Sequence, residues 1–239
     1  MNLLLLSPNN IIDESTAVIK GRQLEHIHKT LRAKTGDTLS VGIENGMIGK
    51  GTLTELSQAQ AKLTFSCTKQ APAPLPIKLV LALPRPKMLR RIIQTSVTMG
   101  VKDFTFINAW KVEKSYWQTP WLSEDSLREN ALIGLEQAKD TVMPVFRMRK
   151  LFKPFVEDEL RDLAGNDLKR IGHPHSETPC PVQLDPKQPV TLAIGPEGGF
   201  TEYEVSKFNE QQFESVHLGN RILRTETAVP ALLSRLYPA

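Results

Sequence analysis

Two loops of this chain hold residue types that chemistry needs. The first is Gly195-Pro196-Glu197-Gly198-Gly199-Phe200, which follows the apolar run 190–194 and precedes Thr201-Glu202-Tyr203-Glu204, a T-x-x-E helix-capping pattern. Glycines at a strand-to-helix turn let a ligand touch bare backbone at the C-terminal edge of a sheet, where open α/β folds place ligands. The same glycines also suit a tight turn with no ligand. The spacing is neither G-x-G-x-x-G nor G-x-x-x-x-G-K-S/T, so the standard dinucleotide and nucleoside-triphosphate fingerprints are absent. The second loop, 219–227, carries Arg221, Arg224, Thr225, Glu226 and Thr227 after a strand-like run and a glycine. Arginines there can stabilise negative charge that develops on a substrate. Glu226 can accept a proton, or simply pair with an arginine.

A third feature is charge. The chain as a whole has a formal net charge of +4. The window 85–114 alone holds Arg85, Lys87, Arg90, Arg91, Lys102, Lys111 and Lys114 against Asp103 and Glu113, which points to an anionic partner. Helical phase puts Leu89, Ile92, Ile93 and Val97 on a buried stripe and turns Arg90 and Arg91 toward another face with Lys87 and Gln94. Trp110, Trp117 and Trp121 follow, with Lys111, Lys114 and Tyr116 interleaved. Such a mixture can stack on and neutralise single-stranded RNA, or serve as a lid or dimer contact. His26-x-His28 has no nearby third ligand, and Cys67 and Cys180 form no C-x-x-C pair, so neither a zinc site nor a disulfide framework is expected.

These loops need elements to hold them. Residues 38–43, 47–56 and 61–67 alternate as strands, with Glu44-Asn45-Gly46 as a hairpin turn, and predict a small β-barrel. The Pro/Ala segment 71–76 predicts an extended linker. Beyond it, strands at 77–83, 103–107, 142–148, 167–172, 190–194 and 213–218 alternate with helices at 87–99, 123–138 and 154–163 and from Glu202. Gly100 stops the first of these helices. That alternation predicts a mostly parallel α/β sheet. Pro230, acceptable in a first helical turn, predicts that the last helix begins near Thr227.

The length of 239 residues allows one large domain or two modest ones, and the balance of 40% hydrophobic to 23% charged residues is that of a globular protein. The longest aliphatic stretches, 3–6 and 79–83, are far shorter than the ~20 residues of a membrane helix. No positive charge precedes the leucine run, so no signal peptide is expected and a cytoplasmic location is.

GPEGGF at 195–200 followed by LGNRILRTETA at 218–228 resembles the paired motif of the RsmE-type methyltransferases, members of the trefoil-knotted SPOUT superfamily. The stretch from Arg22 through Arg32 to Asp37 resembles the opening of that family's PUA-like RNA-binding barrel. The resemblance implies an α/β fold with a PUA-like barrel at 1–70, a linker at 71–76 and a trefoil-knotted methyltransferase domain at 77–239. It implies S-adenosylmethionine as donor, no metal, a homodimer, and methylation of N3 of one uridine in 16S ribosomal RNA, met as RNA or in the assembled 30S subunit. Gly195, Gly198, Gly199, Leu218, Gly219, Leu223, Thr225 and Thr227 would line the donor pocket. Arg22, Arg32, Arg85, Lys87, Arg90 and Arg91 would bind RNA. Uracil N3 is a poor nucleophile until its proton leaves, which gives Arg224 or Arg221 an anion to stabilise and Glu226 a proton to accept. Two stretches depart from the family pattern. Residues 84–91 read PRPKMLRR where Lys-Gly or Lys-Ala is usual, and Glu136-Gln137 runs into Ala138-Lys139-Asp140 in place of Glu-Gln-Ser-x-Arg. These departures leave room for a different RNA, or for an RNA-binding protein without methyl transfer.

Overall fold

The computed structural model describes residues 2–237. They divide into two compact units, one of residues 2–73 with 132–143, the other of 74–131 with 144–237.

The first unit is built on a six-stranded sheet. Its strands are β1 (Leu4–Leu6), β2 (Ile11–Asp13), β3 (Thr16–Ile19), β4 (Thr38–Ile43), β5 (Ile48–Leu56) and β6 (Ala61–Lys69), with the short helix α1 (Gly21–His26) after β3. They lie in the order β1-β4-β5-β6-β3-β2, parallel between β1 and β4 and antiparallel elsewhere. The expected β4–β5 hairpin is present. Asn45 adopts φ +55 and Gly46 N–H closes the turn on Ile43 O at 2.8 Å. Alternation sends Ala17, Ile19, Ala61, Leu63 and Phe65 inward, where Leu24 and Ile27 join Leu4, Leu6, Val41 and Leu53.

Residues 132–143 belong to this unit although they are distant in sequence. Buried Glu136 pairs with Arg22 at 2.8 Å and accepts from Gln23 Nε2 at 2.8 Å, while its carbonyl accepts from Asn2 and Leu3. Asn45 N–H donates to Thr141 O at 2.8 Å, and Thr141 Oγ1 donates to Gly46 O at 2.6 Å. Arg22, expected on RNA, is therefore tied to a buried carboxylate. Arg32 is exposed, in a left-handed turn with φ +50.

The second unit carries a parallel sheet of β7 (Ile77–Ala82), β8 (Asp103–Ile107), β9 (Val145–Arg149), β10 (Leu168–Gly172), β11 (Val190–Ile194) and β12 (Glu214–Val216). The order is β12-β10-β11-β7-β8-β9, with every pair parallel. The central strands are buried on both faces, as parallel sheets covered by helices are. The helices are α2 (Pro86–Thr98), α3 (Glu124–Ala138), α4 (Phe152–Pro154), α5 (Leu160–Ala164), α6 (Glu202–Glu210) and α7 (Thr225–Leu236). Residues 132–138 of α3 fall in the first unit. The helix α2 buries Leu89, Ile92, Ile93 and Val97 as its phase requires, packs on α7, and ends at Gly100 with φ +97.

Several boundaries differ from the sequence expectations. The helix α7 begins at Thr225, two residues early, and Pro230 sits inside it. Arg224 O accepts from Thr227 and Ala228 and starts the helix, while Pro230 merely fails to donate to the Glu226 carbonyl. The third strand of the sheet runs from Val145, because 132–143 is engaged in the other unit. The expected helix at 154–163 is present as a continuous run from 152 to 164, in which α4 and α5 are joined through a wider, five-residue helical turn at Phe155–Glu159. The strand expected at 213–218 holds only Glu214–Val216. Leu75 and Pro76 of the expected linker already bond into the second unit, through Gly100 O and Val190 N–H.

Candidate functional site

The ends of β10, β11 and β12 lie side by side because β11 pairs β10 and β10 pairs β12 in parallel register, which brings Gly172, Ile194 and Val216 level with one another. A small cleft of about 60 Å³ opens at those ends. Ile194, Leu218, Leu223, Ala228 and Leu232 supply apolar walls, and Gly172, His173, His217, Gly219 and Arg221 supply backbone and polar groups. That mixture of apolar walls and a few convergent polar groups is the lining a small organic ligand needs. At Gly172 a Cβ would stand 2.7 Å from Leu232 Cδ1, so the glycine lets that leucine of α7 pack against this wall without turning aside. Gly219 has φ +123, and its N–H donates to His217 Nδ1 at 2.9 Å, which shapes the turn beside the cleft. The ring of His173 packs edge-to-face on His175 at 5.7 Å. Burial, then the nearby His175 and Lys111, holds its pKa below the ordinary 6.5, so the ring is neutral at physiological pH.

Of the residues expected around a donor, the structure brings Leu218, Gly219 and Leu223 into this cleft, together with Arg221. The GPEGGF residues shape the neighbouring loop instead. Gly195 is the tight point, where a Cβ would stand 2.9 Å from Phe200 N. Gly199 takes φ +69 and bonds Pro196 O at 2.8 Å. Gly198 O accepts from Lys111 Nζ at 2.7 Å, and a Cβ on Gly198 would press on that lysine. Thr225 is buried as the first residue of α7, and Thr227 is exposed on its first turn. Sequence reasoning missed Gly172, His173, His217 and Leu232. The available signal was the glycine that closes the strand before His173-Pro174-His175.

A second groove, of about 800 Å³, meets the cleft at Leu223. It gathers Arg224 and Glu226 from the start of α7, Arg85, Lys87 and Met88 from the start of α2, and Tyr116 and Glu197 from two loops. Glu197 Oε1 accepts from Arg85 N–H at 3.0 Å, joining the GPEGGF loop to α2. Neither Arg221 nor Arg224 pairs with Glu226 among the described residues. The carboxylate is thus available to the groove. Arg91 is exposed on α2, but Arg90 is half-buried with its guanidinium 4.2 Å over the Trp121 ring, so its expected RNA contact gives way to stacking.

The capping box at α6 forms as its sequence pattern requires. Thr201 Oγ1 accepts from Glu204 N–H at 3.2 Å, and Glu204 Oε2 accepts from Thr201 N–H at 2.8 Å. The other Glu204 oxygen accepts from Trp110 N–H at 2.6 Å, which ties the loop after β8 to the start of α6.

The family model described as an RNA methyltransferase domain matches residues 71–237. A Treponema pallidum protein named ribosomal RNA small subunit methyltransferase E is 26% identical over 97% of this chain and 88% of its own length. A protein of the same name from Synechocystis is 28% identical over 98% of this chain and 76% of its own. The solved structure of such an enzyme from Neisseria gonorrhoeae, bound to S-adenosyl methionine, superposes with a TM-score of 0.75 at 20% identity, covering 98% of this chain and 95% of that one.

Proposed function

The chain belongs to the family of RNA methyltransferase domains, and from that premise we propose that it uses S-adenosylmethionine to methylate N3 of one uridine in 16S ribosomal RNA of the small subunit. The observation that carries the reading is the junction of two cavities at Leu223: a largely apolar cleft with a few polar groups beside a groove with arginines and a free carboxylate. The names of the relatives support the substrate class, and the donor bound in the Neisseria structure supports the donor.

The cleft residues fit the donor. Ile194, Leu218, Leu223 and Leu232 offer apolar faces for a flat purine, and the backbone around Leu218 and Gly219 offers hydrogen-bonding edges. His173, kept neutral, adds no charge beside a cation. When bound, the donor supplies an electrophilic methyl group on a sulfonium. The groove residues then act on the nucleotide. Glu226 takes the N3 proton, and Arg224 faces the charge that develops over N3 and the uracil oxygens, with Arg221 beside it at the cleft wall. Leu223, between the two cavities, shields the reacting edge from water. The donor-binding roles of Gly195, Gly198, Gly199, Thr225 and Thr227 become indirect in this reading, through the shape of the two loops.

The same reading takes the first unit as a PUA-like RNA-binding barrel and the second as a trefoil-knotted methyltransferase domain acting as a homodimer in the cytoplasm. The knot is supported by the path of the β10–β11 connection. Gln183 and Leu184 N–H bond to Arg235 O and Leu236 O, and Arg235 Nε bonds to Cys180 O, so this loop lies against the end of α7. No helix of the described residues is long and apolar enough to cross a membrane. The decisive experiment is mass spectrometric nucleoside mapping of small-subunit RNA from a deletion strain, with calorimetric titration of the protein by S-adenosylmethionine. Loss of one 3-methyluridine and saturable donor binding are expected. Donor binding with an unchanged uridine would redirect the proposal to another RNA, and no donor binding would leave an RNA-binding protein.

A further inference from the structure

The three tryptophans of 110–121 have separate fates. Trp117 Nε1 donates to Asn108 Oδ1 at 3.0 Å, and Trp121 is covered by Arg90. Trp110 is 84% exposed, and none of the ring contacts among the described residues involves it. Its backbone is nevertheless fixed, because its N–H donates to Glu204, a carboxylate only 3% exposed whose other oxygen holds Thr201. Tyr203, 54% exposed, precedes Glu204 on α6, so one buried carboxylate anchors the mounts of both rings. Both line a groove of about 780 Å³ with Phe152, Lys114 and Lys153.

A fixed, solvent-facing tryptophan with a second exposed ring in the same groove is a surface built to be covered. The charge at the groove selects what covers it. Lys114 and Lys153 are exposed, while the lining carboxylate of Glu204 is spent on three internal donors. Lys111, one residue from Trp110, reaches Gly198 O and links this loop to the one beside the catalytic groove. We infer that the Trp110–Tyr203 groove stacks an unpaired base of the RNA strand that carries the target nucleotide, with Lys114 and Lys153 on its phosphates. Base stacking on an aromatic face tolerates any sequence, and lysines track a backbone without reading bases. The inference rests on the RNA methyltransferase reading above and names a contact away from the reacting atoms.

The test uses the full chain with two probes, a fluorescent 12-residue oligouridylate and deproteinised small-subunit RNA. Trp110→Ala and Tyr203→Ala should each weaken binding at least about fivefold, the lower end of the loss of one base–aromatic stack. The salt dependence should stay unchanged, because stacking releases no counterions. Trp110→Phe should recover most of the affinity, and S-adenosylmethionine affinity should be the same in all variants. Lys114→Ala with Lys153→Ala should lower the salt slope by about 1.4, two single-strand phosphate contacts. Parental RNA affinity in Trp110→Ala with normal donor binding would overturn the inference alone and assign the exposed ring to a protein interface. A parent protein that binds neither donor nor RNA would overturn the methyltransferase reading and this inference with it.

Discussion

Glu204→Ala should destabilise the second unit by about 2–4 kcal/mol. The buried carboxylate accepts from Trp110 N–H at 2.6 Å, Thr201 N–H at 2.8 Å and Thr201 Oγ1 at 2.9 Å. Alanine removes all three acceptor contacts but keeps the Glu204 N–H donation to Thr201 Oγ1. Half of the capping box is lost, ~1 kcal/mol. The Trp110 N–H is left without its charged acceptor in a partly buried position, ~1–3 kcal/mol more. In a unit of this size each kcal/mol moves the melting temperature by ~2–4 °C. The expected drop is therefore about 4–16 °C in the second unit's transition, followed by calorimetry so that separate melting of the two units is visible. Glu204→Gln keeps one carbonyl acceptor and should lose about half as much. Freed from its anchor, the loop of Trp110 should also become more mobile, read as a fall in steady-state fluorescence anisotropy in a Trp117→Phe, Trp121→Phe background. A variant that melts within about 1 °C of the parent would show that this carboxylate does not hold the loop after β8 to α6.

Arg224→Ala should slow methyl transfer toward the lower end of ~10²–10³-fold in single turnovers at saturating donor and RNA, since the side chain is exposed and partly screened. Its backbone carbonyl still starts α7, so folding is untouched, and lysine should rescue only in part. A normal rate with weakened RNA binding would make Arg224 a positioning residue and pass the catalytic role to Arg221. Donor affinity should be flat above pH 6.5 and fall as pH is lowered, because His173 titrates below its ordinary 6.5 and its protonation sets a positive charge beside a cationic ligand. His173→Gln should flatten that fall, and an unaltered profile would take the ring out of contact with the donor. Arg91→Ala should lower the salt slope of RNA binding by about 0.7. Arg90→Ala should leave the slope alone and cost ~0.5–1 kcal/mol of stability through the lost Trp121 stack. Equal slopes for both variants would place the RNA path away from α2.

Local pattern settled much of this protein in advance. The alternation of apolar and polar residues placed β4 to β6, and the 3.6-residue phase of Leu89, Ile92, Ile93 and Val97 placed α2 and its buried face. Gly100 and the Thr201–Glu204 box set a helix end and a helix start, because caps depend only on neighbours in sequence. The paired motifs at 195–200 and 218–228 follow β11 and β12 at one edge of the sheet, and Leu218, Gly219, Arg221 and Leu223 of the second line the cleft.

The tertiary structure decided what local pattern cannot hold. Strand order is set by hydrogen bonds between segments far apart in the chain, so the glycine before His173 marks a strand end without telling that β10 ends beside β11 and β12. Arg90 and Arg91 are alike in sequence, yet one stacks on Trp121 and the other meets solvent, a choice made by a loop thirty residues away. Arg22 reads as a surface cation until Glu136, more than a hundred residues on, neutralises it. Trp110 and Tyr203 become neighbours only because the Glu204 carboxylate satisfies donors on two loops at once, and a buried charge must find its partners wherever the fold brings them.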